Sequence, residues 1–330
     1  MKKLLVLFAL IALVLGSLTG CASEPEVTGP ETVKVGIAIY KFDDTFMTNY
    51  RNEMESYLTG MNNDTVKYEV SITDGKNDQA TQTEQIDSFI AQGFNVLIVN
   101  LVDLTAASTI IDKVKAAGIP TVFINRQPST ADMGMWDKIT YVGAKAEDSG
   151  TYQGEIAVDL WKANPALDKN GDGIMQYVML MGQEIHQDAA LRTEYSIKKV
   201  EAEGIKVEKL FEERGNWDRV LGQEKTAAAI AQFGDKIEVV FGNNDDMALG
   251  AIEALKAANM VVPVIGVDAT APALDALESG DLAGTVLNDH VGQARTSVDK
   301  ALALLAGEAV EKEYWVPYVK VTPENYQDFK

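Results

Sequence analysis

Val33-Lys34-Val35-Gly36-Ile37-Ala38-Ile39-Tyr40, followed at once by Lys41-Phe42-Asp43-Asp44-Thr45-Phe46, is the stretch on which the fold turns. Its first half is an almost continuous run of β-branched and apolar residues, the mark of a strand buried on both faces. An acidic turn follows, then helical spacing from about Thr45 to Met61. Strand, polar turn and helix recur downstream. Tyr68 to Ile72 reads as a strand and Gln79 to Ala91 as a helix. Phe94–Val99 and Pro120–Ile124 are short apolar strands flanking a helix from Thr105 to Ala117. This alternation predicts a parallel sheet covered by helices on both faces.

The rhythm restarts after Tyr141-Val142-Gly143. A helix from Asp148 to Ala163, a polar loop and a strand from Tyr177 to Met181 come first. Strands at Ile205–Phe211, Ile237–Phe241 and Val264–Val267 then alternate with helices near 188–203, 220–233 and 245–258. Two βαβ sets of similar size predict two similar lobes, so the fold class is α/β with two doubly wound parallel sheets. No G-x-G-x-x-G follows the first strand and no phosphate-loop motif is present, which removes the usual support for nucleotide chemistry. The chain has two histidines, His186 and His290, and no H-E-x-x-H or G-x-S-x-G, so hydrolytic catalysis has no obvious agent. Paired acids such as Asp43-Asp44 leave a carbohydrate-cleaving enzyme as an alternative.

Before this repeat lies a leader. Lys2 and Lys3 precede a twelve-residue apolar run, Leu4 to Leu15, and Leu18-Thr19-Gly20-Cys21 closes it. The run is short for a bilayer span and has the form of a secretory signal. Leu-Thr-Gly-Cys resembles a bacterial lipobox, so residues 1–20 are expected to be cleaved and Cys21, the single cysteine, to carry lipid. Residues 21–32 then form a tether, whose eleven residues from Ala22 to Thr32 reach at most about 40 Å. Without the two leader lysines, 27 basic residues face 49 acidic ones, a balance of −22 that repels nucleic acid. The expected location is the outer face of the cell membrane, or the periplasmic side in a two-membrane envelope.

In open α/β sheets ligands sit beyond the carboxyl ends of the strands. Those positions carry Asp43-Asp44-Thr45-Phe46, Asn125-Arg126, His186-Gln187-Asp188, Asn243-Asn244-Asp245-Asp246, Asp268 and Asn288-Asp289. Asp and Asn accept hydrogen bonds, and Asn, Arg192 and His186 can donate, which suits a neutral polyhydroxylated ligand. The same residues are preferred helix N-caps, and Asp43 and Asp245 read as caps or turn residues. Phe46 and Trp217, in Arg214-Gly215-Asn216-Trp217-Asp218, can cover the faces of a sugar ring or pack in the core.

Asp168-Lys169-Asn170-Gly171-Asp172-Gly173-Ile174-Met175-Gln176 begins like a calcium loop. Side-chain oxygens of Asp168, Asn170, Asp172 and Gln176 and the Ile174 carbonyl alternate as a hard cation requires. The twelfth position, where such loops place a bidentate acid, is Met179. A polar turn without metal remains the alternative.

Ile39-Tyr40-Lys41-Phe42-Asp43-Asp44-Thr45-Phe46-Met47, Lys76-Asn77-Asp78-Gln79, Asn100-Leu101-Val102-Asp103 and Asn243-Asn244-Asp245 resemble the galactose- and glucose-binding members of the ribose-type sugar-binding family. So do Glu253-Ala254-Leu255-Lys256-Ala257, Gly266-Val267-Asp268-Ala269 and Leu282-Ala283-Gly284-Thr285-Val286-Leu287-Asn288-Asp289. The similarity spans about residues 33 to 330. It implies a type I periplasmic-binding-protein fold, with lobes at 33–143 plus 291–315 and 144–290 plus 316–330. A three-segment hinge is implied near Gly143-Ala144, Asp289-His290 and Val316-Pro317. It further implies a hexose held by Asp44, Asn125, His186, Asp188, Arg192, Asn244, Asp268 and Asn288 between Phe46 and Trp217. Glu238 stands where the family supplies the missing acid for structural calcium. The implied partners are galactose or glucose, the permease subunits of an ABC importer, a chemoreceptor or sensor, and the bilayer through Cys21. Another monosaccharide, a methyl-galactoside, or a sensor role are the alternatives. Gln183-Glu184-Ile185 and the segment Met133 to Trp136 depart from the family pattern.

Overall fold

The computed structural model describes residues 30–330, so the leader, Cys21 and most of the tether lie outside the described residues. The first lobe is built from β1 (Glu31–Ile39), α1 (Thr45–Gly60), β2 (Val66–Asp74), α2 (Gln79–Ala91), β3 (Val96–Val99), α3 (Ala107–Ala117), β4 (Thr121–Ile124), the single-turn α4 (Thr130–Met133) and β5 (Ile139–Gly143). The chain then enters the second lobe with α5 (Ala146–Ala163), β6 (Ile174–Met181), α6 (Gln187–Ala202), β7 (Lys206–Arg214), α7 (Arg219–Phe233), β8 (Val239–Gly242), α8 (Asp245–Ala257), β9 (Val264–Ile265), α9 (Ala271–Ser279) and β10 (Thr285–Leu287). It returns through α10 (His290–Leu305) and β11 (Glu313–Trp315), and ends in the second lobe with β12 (Val319–Val321).

The first sheet has the order β11-β5-β4-β3-β1-β2, all parallel. The second runs β7-β6-β8-β9, and bridges Ile265–Gly284 and Asp268–Leu287 carry it on to β10, which pairs antiparallel with β12. Both sheets therefore follow one plan, second strand outside the first and the rest on the other side. The apolar runs explain it: β3, β4, β5 and β8 are buried at every residue, as strands covered on both faces must be. Helices α1 and α10 cover one face of the first sheet through Tyr50, Met54, Leu58, Val298 and Leu304. Helices α2 and α3 cover the other through Ile86, Phe89, Ile110 and Val114. Burying each such side chain contributes about 1.5–3 kcal/mol.

The likeness of the lobes extends to single bonds. After β2, Gly75 N–H donates to Ile39 O at 2.7 Å and Asp78 N–H to Gly75 O at 2.9 Å. After β7, Gly215 N–H donates to Met181 O at 2.9 Å and Asp218 N–H to Gly215 O at 2.8 Å. Between them, Lys76-Asn77 and Asn216-Trp217 all have left-handed backbones, and Asp78 and Asp218 each cap the following helix. Trp217 thus stands in one lobe where Asn77 stands in the other.

Several sequence-based bounds shift. Glu31 and Thr32, assigned to the tether, belong to β1, because β2 begins at Val66 and offers them partners. β6 starts at Ile174 and not Tyr177, so Ile174 and Gln176 are strand residues. His290, placed in the second lobe, is the first residue of α10, which packs on α1 and the first sheet. Asp245 is no cap. Asn244 caps α8, while the Asp245 carboxylate accepts from Thr270 N–H at 2.8 Å and Thr285 Oγ1 at 2.6 Å.

Candidate functional site

The carboxyl ends of the two sheets face each other across a narrow cavity. Nine of the ten expected ligand residues line it: Asp44, Phe46, Asn125, His186, Arg192, Trp217, Asn244, Asp268 and Asn288. Asp188 does not. Its carboxylate accepts from Arg192 Nη2 at 3.1 Å and lies 3.5 Å from His186 Nε2, and it borders a neighbouring pocket beside Glu147 and Trp315. A buried anion is drawn to the nearest buried cation, so in this structure Asp188 supports the wall of the cavity from behind.

Caps and ligand positions turn out to be the same residues. Asp44 caps α1 by accepting from Met47 N–H at 2.8 Å, and its other oxygen accepts from Tyr40 Oη at 2.5 Å. Asn244 accepts from Met247 N–H at 3.0 Å and donates to the Trp217 carbonyl at 3.2 Å. Each side chain is fixed by its own helix terminus, which gives it one orientation toward the cavity.

Phe46 and Trp217 are both nearly buried. Phe46 sits edge-on to Tyr50, with centroids 5.9 Å apart, and Trp217 sits edge-on to His186 at 5.4 Å. The indole lies so close on Gly182 that a Cβ there would stand 2.0 Å from the ring. Trp217 holds φ at 69°, Asn125 at 59° and Asp268 at 121°. A left-handed bulky residue costs of order 1–3 kcal/mol, and such strain gathers where a side chain must be presented.

Charge in the cavity is balanced. Arg192 donates to Asn243 O at 2.7 Å and to Tyr318 Oη at 2.9 Å as well as to Asp188. Arg126 donates to Val102 O and to Gln183 Oε1, each at 2.5 Å, and its guanidinium lies 3.9 Å from the Tyr40 ring centroid. Opposite stand Asp44 and Asp268. Burial pushes Asp268 well above the usual carboxylate range, against the pull of Arg192. Burial, with Arg126 and Arg192 nearby, holds His186 well below its ordinary value, so it is neutral with one donor and one acceptor nitrogen. Arg126 Nε, Arg192 Nε and His186 Nε2 are buried without a protein partner. Three unsatisfied polar atoms among aromatic faces suit hydroxyl groups.

Tyr40, Met47 and Arg126 also line the cavity; Arg126 stands among the strand-end residues but was given no ligand role, and Tyr40 and Met47 were not expected. Tyr40 and Arg126 lie just past β1 and β4, where the strand-end rule applies equally. Met47 carries no such signal.

The 168–176 loop turns its carboxylates onto its own backbone. Asp168 accepts from Gly171 and Gly173 N–H at 2.8 and 2.9 Å, and buried Glu238 from Lys169 and Gln176 N–H at 2.7 and 2.9 Å. Asp172 accepts from Asn170 Nδ2 at 2.9 Å and from Gln176 Nε2 at 3.0 Å, and its other oxygen from the Ile174 N–H. Among the described residues no three acidic or histidine side chains stand at metal-ligand separation. The donor chemistry still fits a hard cation. Gln176 Oε1 is buried without a partner, and burial, with Asp168 and Asp172 adding to it, raises the Glu238 carboxyl.

Comparison with known proteins agrees with this architecture. The profile described as periplasmic binding protein domain matches residues 35–309. The D-galactose/methyl-galactoside binding periplasmic protein of Haemophilus influenzae is 40% identical over 306 residues, 90% of this chain and 91% of that one. A putative rhizopine-binding protein of Rhizobium meliloti is 36% identical over 308 residues, 92% and 94% of the two chains. An ABC transporter solute binding protein from Bacillus halodurans, solved with myo-inositol, superposes with a TM-score of 0.79 at 31% identity, covering 90% of this chain and 96% of that one. Among the described residues no helix is long and apolar enough to cross a membrane. The chain belongs to the periplasmic binding protein family, whose members bind solutes for transporters and are not enzymes.

Proposed function

We propose that this protein captures D-galactose and D-glucose for an ABC importer and is held at the membrane by a lipid on Cys21. The observation that carries the sugar is the cavity itself. Two aromatic faces, Phe46 and Trp217, stand among paired charges and three unpartnered polar atoms. A pyranose offers apolar C–H faces to the rings and hydroxyls that donate and accept around its edge. The galactoside-binding relative at 40% identity supports the same choice. Calorimetry with galactose, glucose, ribose and myo-inositol tests it. The reading requires the two hexoses to bind most tightly, at micromolar affinity or better, roughly −8 kcal/mol. Preference for ribose would overturn it.

A cyclitol is the second reading, favoured by the relative solved with myo-inositol. Its ring has a hydroxyl on every carbon and no ring oxygen. Tighter binding of myo-inositol than of either hexose would select it.

Calcium is proposed as a structural ion held by Asp168, Asn170, Asp172, Ile174, Gln176 and Glu238. Bound there, it would neutralise carboxylates that otherwise accept from the loop's own backbone. Chelation should lower the melting temperature by several degrees, and added calcium should restore it. In Glu238→Gln the response to chelator should shrink. A melting temperature indifferent to chelator and calcium would rule the ion out.

The anchor rests on the leader and on Leu18-Thr19-Gly20-Cys21. Expressed in a bacterium, Cys21→Ser should move the protein from the membrane fraction to the soluble one. Equal partitioning of both forms would count against a lipid at this position.

A further inference from the structure

We propose that a latch outside the cavity, Thr45–Asp246–Arg219 with Gln183 as a second clasp, holds the lobes shut and sets how long a solute stays. The inference rests on the reading that the cavity holds a solute. Thr45 Oγ1, in the first lobe, donates to Asp246 Oδ2 in the second at 2.5 Å, and Arg219 Nη2 donates to Asp246 Oδ1 at 3.0 Å. None of the three lines the cavity. Thr45 lies between Asp44 and Phe46 at the start of α1, and Asp246 lies in the first turn of α8, just after its cap Asn244. The bond therefore joins the first turns of two helices whose caps face the ligand space. It forms only when those turns meet across the cleft.

The site favours a strong bond. The Asp246 side chain is only 13% exposed, and the free N–H groups at the start of α8 favour its negative charge. A hydroxyl donating to such a carboxylate makes a charge-assisted hydrogen bond. Gln183 supplies a second clasp through its neutral amide. From the second lobe its Oε1 accepts from Arg126 Nη2 at 2.5 Å and its Nε2 donates to Asn77 Oδ1 at 3.3 Å, both in the first lobe.

A solute in a closed cleft leaves only after the lobes part. Bonds present when shut and absent when open shift that equilibrium without touching the solute. Thr45→Val tests this cleanly, because valine keeps the shape of threonine and leaves Asp246 paired with Arg219. The variant is compared with the parent in the full chain carrying Cys21→Ser, with spin labels at Ala80→Cys on α2 and Val220→Cys on α7. Interlobe distances are measured without sugar and with saturating D-galactose, and galactose release is followed by stopped flow. Thr45→Val should lower the closed fraction in both conditions and speed release by about tenfold. The association rate should not fall, and the ligand-free melting temperature should stay the same. Gln183→Ala should act in the same direction. Equal closed fractions and equal release rates in parent and variant would overturn the latch. Should galactose leave every distance unchanged, the sugar assignment falls, while the ligand-free comparison still decides the latch.

Discussion

Trp217→Ala should weaken galactose binding by about 30- to 1,000-fold, the roughly 2–4 kcal/mol typical of a buried aromatic at the centre of a recognition site. The ring is held by the Gly182 surface, the His186 edge and the Asn244 bond to its own carbonyl, so no neighbour can take its place. Its backbone is left-handed, at φ 69°, as is that of Asn77 in the matching loop of the other lobe. Trp217→Gly relieves that strain and Trp217→Ala does not. Both variants should lose binding alike, while the glycine form melts higher. Calorimetry and thermal unfolding read the two quantities separately. Wild-type affinity in Trp217→Ala would remove the ring from the binding surface altogether.

Arg192→Met should abolish binding and lower stability by about 3–5 kcal/mol, the usual loss when one partner of a buried ion pair is removed. Arg192 is tied to Asn243, Asp188 and Tyr318, and its charge opposes the burial that raises Asp268. Burial already lifts Asp188 to about 6 against the opposing pull of Arg192, with Glu147 adding to the rise. Above the ordinary carboxylate value the unfolded chain releases its proton first, so the folded form holds more protons and stability falls as pH rises. For Asp188 in the parent this loss accrues between about pH 4 and pH 6, and Asp268, raised further by its burial, carries the parent's decline above that. Without Arg192 the Asp188 and Asp268 carboxyls lie higher still, and the decline through neutral pH should be steeper than in the parent. Melting curves from pH 4 to 8 test this: the variant should be closest to the parent at the acid end. Parallel curves would mean that Arg192 does not compensate these carboxylates.

The two lobes, their parallel sheets and most of the cavity were legible in the sequence because apolar strands, helix periods and strand-end polar residues each have a local pattern. Helix α2 was placed residue for residue, since Asp78 marks its start and Gln82, Ile86 and Phe89 mark its buried face. Tyr40 was missed as lining, and Arg126, read as a strand-end residue, was given no contact, because each also packs, one ring under one guanidinium, and sequence does not separate the two uses. Asp188 and Asp245 show the converse. Both are strand-end acids, yet one is turned onto Arg192 and the other onto Thr270 and Thr285, a choice made by residues distant in the chain. The left-handed backbone at Trp217 had no local signal either, because Asn-Trp is an ordinary pair until the loop after β7 closes.

All three passages of the chain between the sheets leave from β5, β10 and β11, at one side of the molecule, while β2 and β7 lie at the opposite edges. Five strand spacings of about 4.8 Å separate β2 from β11, a lever arm of about 24 Å. A rotation about the crossing side moves the far edge by about 0.4 Å for each degree, and residues beside the crossings hardly at all. Trp217, in the loop after β7, rides at the long end, and Asn288, beside a crossing, at the short one. The aromatic cover is therefore the first part of the wall to lift from a departing ring and the last to settle on an arriving one.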